Sequence, residues 1–449
     1  MREALNAPSE PAPPTPPEAA KPRKRGWKAW VGASLTGLCG VMIGMASSAL
    51  PFRAEIAPVS PPSAALWSSA TIERGRQLAA LGDCAVCHTT ENGATNAGGR
   101  PFETPFGTVY STNITPDPES GIGRWSFAAF DRAMREGISR DGRHLYPAFP
   151  YTAFRNMTDD DMQALYAYMM TQQPVRSETP ANTMRFPFNL RPMMAGWNTL
   201  FLNRETYKPD PQKTAEWNRG NYLVNGLGHC AACHSPRNAL GAEKMGEAFL
   251  AGGTVDGWEA PALTGLSKAP KPWTEDDLFT YLRTGFSQRH GVAAGPMAAV
   301  VHELSTVPEA DVRAMAVYLA SLGGESKETS AVTPAPVSSA NGERIFDGAC
   351  KACHSDGDGP TLFGVSPSMA VNSNVHSDSP DNLARVILHG IQNPATRDLG
   401  YMPAFRDSLS DRQVADLLAY LRGRFAPNKA AWTDVANAVT RARANPGTH

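Results

Sequence analysis

Three stretches of the chain share one pattern of apolar and polar positions. DDDMQALYAYMM at 159–170, PEADVRAMAVYLASL at 308–322 and SDRQVADLLAYLRG at 410–423 are apolar every third or fourth residue, with an aromatic near the end. Each opens on Asp, Pro or Ser followed by acidic residues, which suits the free N–H groups of a helix N-terminus. A second helix precedes each of these: WSFAAFDRAMREG at 125–137, WTEDDLFTYLRTG at 273–285 and DNLARVILHG at 381–390, with Gly137, Gly285 and Gly390 as stops. A shorter helical pattern comes first, in ERGRQLAALGDC, NRGNYLVNGLGHC and NGERIFDGAC, with Gly75, Gly220 and Gly342 eight to ten residues before a cysteine. Three helices recurring three times predict an all-α tandem array.

The cysteines begin the pentapeptide Cys-x-x-Cys-His in every unit, as Cys84, Cys87 and His88, as Cys230, Cys233 and His234, and as Cys350, Cys353 and His354. Two thiols at this spacing can add to the vinyl groups on one porphyrin edge while the adjacent imidazole takes the iron, so the motif reads as attachment of haem c. A redox dithiol or half a zinc site uses Cys-x-x-Cys but does not require the histidine. Six of the seven cysteines belong to the motifs, leaving only Cys39, so three covalent haems and no disulfide are expected.

A Pro- and Ala-rich tail over 1–28 ends in Lys21, Arg23, Lys24, Arg25 and Lys28, and an uncharged stretch follows at 29–52. Basic residues before an apolar run read as an export signal. A retained anchor is favoured over a cleaved signal peptide, which places the haem units on the periplasmic side of a bacterial inner membrane. The rest divides into a linker at 53–69, units at 70–175, 213–322 and 341–425, a connection at 176–212, a Pro/Ser-rich linker at 323–340 and a tail at 426–449. Met193, Met194, Trp197, Phe201 and Leu202 make the connection apolar enough to pack on a unit, ahead of contact with a partner or membrane.

This helix order resembles the class I cytochrome c fold, and the resemblance implies a sixth iron ligand in the loop after the middle helix. Met297 lies 12 residues after Gly285, and Met402 lies 12 residues after Gly390. The same count from Gly137 reaches Phe149, which cannot coordinate iron. His144 or Met157 therefore completes the first site, or its iron is five-coordinate or otherwise ligated. His229, His290, His302, His376 and His389 fit no such register.

Net charge of −1 gives no electrostatic case for nucleic acid, and 42% hydrophobic residues is ordinary for a globular protein. There is no Gly-rich dinucleotide fingerprint, P-loop or nucleophile elbow, so no substrate-converting site is evident.

The helix order resembles the class I cytochrome c fold over residues 70–425. GRHLYPAFPYTAF at 142–154, FPFNLRP and AGW within 186–197, and EWNRGNYLVNGLGHCAACHSPRNALGAE at 216–243 resemble the tri-haem cytochrome c subunits of membrane-associated periplasmic dehydrogenases. Relatives partnering quinoprotein alcohol dehydrogenases or flavin-dependent gluconate-type dehydrogenases carry methionine where Phe149 stands. Phenylalanine there is closer to partners of molybdenum hydroxylases of the nicotinate dehydrogenase or aldehyde oxidoreductase type. The resemblance implies an electron-transfer subunit that passes electrons from a molybdopterin, quinoprotein or flavoprotein subunit to ubiquinone or a terminal oxidase. A haem enzyme with an open iron in the first unit is the reading from another class.

Overall fold

The computed structural model describes residues 53–265, 271–323, 339–354, 365 and 367–445. The apolar stretch 29–52, Cys39 and most of the linker 323–340 lie outside the described residues. Among the described residues, no helix is long and apolar enough to cross a membrane.

The first unit comprises α1 (Ser69–Leu81), α2 (Cys84–His88), β1 (Pro101–Thr104), β2 (Gly107–Tyr110), α3 (Phe127–Glu136), α4 (Tyr151–Phe154) and α5 (Asp159–Thr171). A connection follows with β3 (Thr183–Met184) and α6 (Met193–Phe201). The second unit comprises α7 (Ala215–Asn225), α8 (Ala231–His234), β4 (Gly253–Val255), β5 (Trp258–Ala260), α9 (Glu275–Thr284), β6 (Phe286–Ser287), β7 (Gly291–Val292), α10 (Pro296–Leu304) and α11 (Glu309–Ser321). The third has α12 (Ala340–Ile345), α13 (Ser373–His376), α14 (Asp381–His389), α15 (Asp411–Phe425) and α16 (Val435–Ala444).

Side chains before the first turn start many of these helices. Ser68, Ser126, Thr158, Thr214 and Ser339 each accept a backbone N–H, and Thr274 with Asp277 and Ser410 with Gln413 form reciprocal capping boxes. The stops behave as their residue type requires: Gly137, Gly285 and Gly390 have φ of 64°, 80° and 70°, a region that favours glycine.

The first and last helices of each unit cross at the glycine before its cysteines. A Cβ on Gly75 would overlap the carbonyl oxygen of Ala164 and come 2.6 Å from Tyr168 Cβ; Gly220 meets Ala314 and Tyr318 in the same way, and Gly342 meets Asp416 and Tyr420. Only hydrogen lets the backbones approach this closely. Leu78, Leu165, Leu223, Val312, Leu417 and Leu418 fill the cores at these crossings.

The structure corrects the all-α expectation in one respect: the units are mostly helical, but short antiparallel hairpins join β1 to β2, β4 to β5 and β6 to β7, and β3 adds to β2. Residues 426–449, expected as a tail, contain α16, which buries Ala438, Val439 and Ala442 against the third unit. In the connection, Met194 and Trp197 are buried with Tyr146, Tyr151 and Ala242, and Trp197 Nε1 donates to Leu240 O at 3.0 Å. This segment packs on both the first and second units.

Units one and two meet in a pseudo-symmetric charge cluster. Arg74 and Arg219 each precede the crossing glycine, and Asp161 and Asp311 each stand at the third position of the last helix. Arg74 Nε donates to Asp161 Oδ1 at 3.0 Å and Nη1 to Asp311 Oδ2 at 3.3 Å; Arg219 Nε donates to Asp311 Oδ1 at 2.7 Å and its Nη1 lies 3.8 Å from Asp161 Oδ2. The third unit carries Asn341 and Gln413 at these positions. It docks instead on the second unit through the β4–β5 hairpin: Glu259 and Asn382 exchange hydrogen bonds of 2.9 and 2.8 Å, and Arg385 Nε donates to Gly257 O at 2.9 Å.

Candidate haem centres

In the first two units a residue with positive φ, Asp83 (50°) or His229 (36°), interrupts the chain before the first cysteine, and a new helical turn then carries the motif. The third unit makes no such break, because a π-helical turn over Phe346–Cys350 runs on from α12. That difference accounts for the shorter glycine-to-cysteine spacing there.

In the first two units small hairpins, which the sequence pattern does not predict, place the carbonyl that orients the motif histidine, whereas His354 Nδ1 is buried without a hydrogen-bond partner. His88 Nδ1 donates to Thr112 O at 2.6 Å, two residues beyond β2, and His234 Nδ1 donates to Pro261 O at 2.7 Å, directly after β5. With Nδ1 protonated, Nε2 keeps its lone pair, as metal ligation requires. Burial lowers the pKa of His88, His234 and His354, which also favours the neutral ring. Arg100 Nη1 donates to Val86 O at 2.6 Å and Arg237 Nη2 to Ala232 O at 2.7 Å, so a guanidinium holds the motif turn in both units. A signal for the second hairpin is present in the sequence: Asp256-Gly257 is the favoured pair for a two-residue hairpin turn, and both residues have positive φ.

The motif thiols are half-buried. Burial pushes Cys87 and Cys230 up to about 12 and Cys233 and Cys350 up to about 11, with Cys84 shifted the same way. A dithiol that exchanges disulfides needs the opposite shift, and among the described residues no group of His, Cys, Asp and Glu is arranged to hold a metal by itself. The paired thiols and oriented imidazole therefore fit covalent haem. Asp83, beside Cys84, is buried with Oδ1 unpartnered, and burial pushes its carboxyl up to about 8.

The loops expected to supply sixth ligands agree in two units and differ in the third. Leu145 N donates to Gly137 O at 2.7 Å and Ala293 N to Gly285 O at 2.8 Å, and Phe149 and Met297 each follow four residues later. Phe149 thus takes the place of Met297, packed 5.4 Å from the Phe154 ring. In the third unit Met402 pairs by backbone with Ile391, next to Gly390, so an equal residue count hides a different loop. Neighbouring contacts separate the two candidates for the first site. Met157 is only 3% exposed and takes the place of Val307, since Arg135 donates to Met157 O at 2.7 Å as Arg283 does to Val307 O at 2.6 Å. His144 pairs by backbone with Ile138, and its Nδ1 is buried without a hydrogen-bond partner; burial and then Arg53 lower its pKa.

The family model described as cytochrome c matches residues 72–173 and 218–323, and that described as cytochrome C oxidase, cbb3-type, subunit III matches 338–421. The chain is 68% identical over 435 residues to a nicotinate dehydrogenase subunit of Pseudomonas putida, covering 96% of this chain but only 36% of that protein. It is 37% identical over 425 residues to the fructose dehydrogenase cytochrome subunit of Gluconobacter japonicus, covering 87% of this chain and 86% of the relative. Against the gluconate 2-dehydrogenase cytochrome c subunit of Pantoea cypripedii it is 36% identical over 400 residues, covering 84% and 89%. With motif, histidine orientation and near full-length relatives in agreement, the chain belongs to the family of cytochrome c subunits of dehydrogenases.

Proposed function

We propose that this chain is the electron-transfer subunit of a periplasmic dehydrogenase complex, with three covalent haems held in series and fed by a molybdenum hydroxylase of the nicotinate dehydrogenase type. Each haem supplies one-electron iron chemistry; the protein fixes its position and its ligands. The observation that carries the reading is the repeated imidazole orientation by Thr112 and Pro261 beside paired, half-buried thiols. The β4–β5 hairpin supports a serial path, because it carries Pro261 on the second haem histidine and also Glu259 on the third unit.

Met297 and Met402 are the proposed sixth ligands of the second and third irons. Phe149 leaves the first iron without methionine there, and the buried, unpaired Nδ1 makes His144 the favoured substitute, since Met157 fills a core place. The molybdenum partner is favoured by the similarity to the nicotinate dehydrogenase relative, of which this chain covers 36%. Quinoprotein and flavoprotein partners are the alternative, supported by the fructose and gluconate dehydrogenase relatives. Residues 29–52 would anchor the protein in the inner membrane, with ubiquinone or a terminal oxidase as acceptor.

Purification of the native complex tests this reading. A molybdopterin subunit whose substrate reduces the haems is the expected result. A bound pyrroloquinoline quinone or flavin would move the assignment to the alternative, and a chain purified alone without haem would end it. A second reading, a haem enzyme with an open first iron, is motivated by Phe149 and requires the reduced protein to bind carbon monoxide.

A further inference from the structure

The first unit buries a carboxyl beside its motif that neither of the other units carries. Asp83 is 7% exposed, its Oδ1 has no hydrogen-bond partner, and its backbone sits at φ 50°, a region that Asp tolerates better than most residues. The second unit has His229 at this position, with Nδ1 donating to Leu227 O at 2.9 Å, and the third has Ala349.

Asp83 lies at the boundary between the first two units. Gly82 packs on Leu227, where an added Cβ would come 2.9 Å from Leu227 Cδ1, and α10 of the second unit packs on α1 of the first. A charge on Asp83 works against a thiolate at Cys84 and Cys87 and also at Cys230 and Cys233. One carboxyl is therefore within electrostatic reach of both pairs of haem-bearing cysteines.

The charges around it are negative or engaged elsewhere. Glu303 of α10 is a second carboxyl acting on Asp83, and its own countercharges are His302 and Arg76. Tyr168 of α5 borders Cys84 and stays neutral, because burial raises its pKa. Arg100 and Arg237 act on Cys87 and Cys233, each tied to a carbonyl of its own motif turn; Asp256 of the β4–β5 turn opposes both, and Glu243 opposes Arg237. Burial, and then Glu303, push the Asp83 carboxyl up to about 8. A carboxyl so placed responds to further negative charge nearby, because negative surroundings favour the protonated acid. Binding of the proton in turn eases arrival of the electron by the same factor.

We propose that Asp83 is a proton site linked to electron arrival at the first two haem centres: its carboxylate takes one proton from solvent as an electron arrives and gives it back as the electron leaves. Charge balances, since one electron and one proton enter together; the catalytic subunit supplies the electron and water the proton. The inference rests on the reading of the motifs as haem attachment. Well below pH 8 Asp83 is protonated with or without the electron, and well above it Asp83 is charged in both states. Only around that pH does reduction take up a proton, so the midpoint potential falls there as pH rises.

The test uses the full haem-loaded chain. A pyridine haemochrome count of three haems checks the haem reading by itself; a lower count would tell against that reading, whereas the pH profile bears on Asp83. Spectroscopic redox titrations on both sides of pH 8 are compared for the native chain, Asp83→Asn and Asp83→Glu. The native potentials of the first and second haems are expected to fall with rising pH. Asp83→Asn is expected to lose the fall and keep the low-pH potential throughout, and Asp83→Glu to restore it. A flat native profile would overturn the proposal, as would a fall that persists in Asp83→Asn and so belongs to another acid, such as Glu303 or a haem carboxylate. The native chain with an isotope label in its aspartate carboxyl groups gives a reading that needs no variant. Its reduced-minus-oxidised infrared spectrum near pH 8 is expected to gain a carboxylic acid band that moves with the label, and absence of that band would also overturn the proposal.

Discussion

Arg74 of the first unit donates to Asp311 of the second across 3.3 Å, and the pseudo-symmetric Arg219 lies 3.8 Å from Asp161 in return. Each arginine also holds the carboxylate of its own unit, so removing one member leaves charges half-buried without their partners. Asp311→Asn and Arg219→Gln are each expected to cost up to ~3 kcal/mol in unfolding free energy. A double-mutant cycle with Arg74→Gln should show non-additivity between units, and strictly additive losses would mean that the cluster does not couple them.

Gly75→Ala, Gly220→Ala and Gly342→Ala are expected to lose ~1–3 kcal/mol or more each, because the new methyl meets backbone carbonyl rather than a movable side chain. Denaturant melts of the haem-loaded protein read this loss. An unchanged midpoint would show that the crossing can widen at no cost.

Methionine ligation gives absorption in the near infrared that the other candidate ligands lack. Met297→Ala and Met402→Ala are each expected to remove part of it, and Phe149→Met to add to it. Persistence of the full signal in either alanine variant would show that the twelve-residue register misassigns that ligand. Met402 is the sharper case, since it is itself the residue paired with Ile391, whereas Met297 lies five residues beyond Val292, which pairs with Phe286.

His290 gives a pH dependence away from the haem motifs. It is buried against Trp273, with ring centroids 3.7 Å apart, and faces Asp277 at 3.8 Å and the neighbouring Arg289; burial lowers its pKa to about 4. The folded state therefore keeps the ring neutral where the unfolded chain takes up a proton. Stability from this group is present above the unfolded value of ~6.5 and is lost as pH falls towards 4. Melting temperatures over that range should fall less steeply in His290→Gln, and an identical slope would show that His290 does not set the pH dependence.

Helices, stops and motifs were legible because each rests on local chemistry: apolar spacing, positive φ at Gly137, Gly285 and Gly390, and two thiols beside an imidazole. The hairpins were not, because β4 and β5 are three residues each, too short for alternation to register, although Asp256-Gly257 marked the turn between them. The carbonyls of Thr112 and Pro261 carry no residue-type signal at all, since every residue has one. Helix α16 was hidden by a weakly apolar sequence whose buried positions are mostly alanine. Counting residues placed Phe149 opposite Met297 correctly in the backbone, but it treated Met402 as equivalent when its loop is not.

A redox titration of the purified chain, followed at once in the visible and near infrared, bears on haem number and ligation together. Three one-electron haem steps are expected, two of which carry the methionine signal while the step of the first unit does not. Two haem steps, or three that all carry the methionine signal, would contradict the assignment of three haems with Phe149 beside the first.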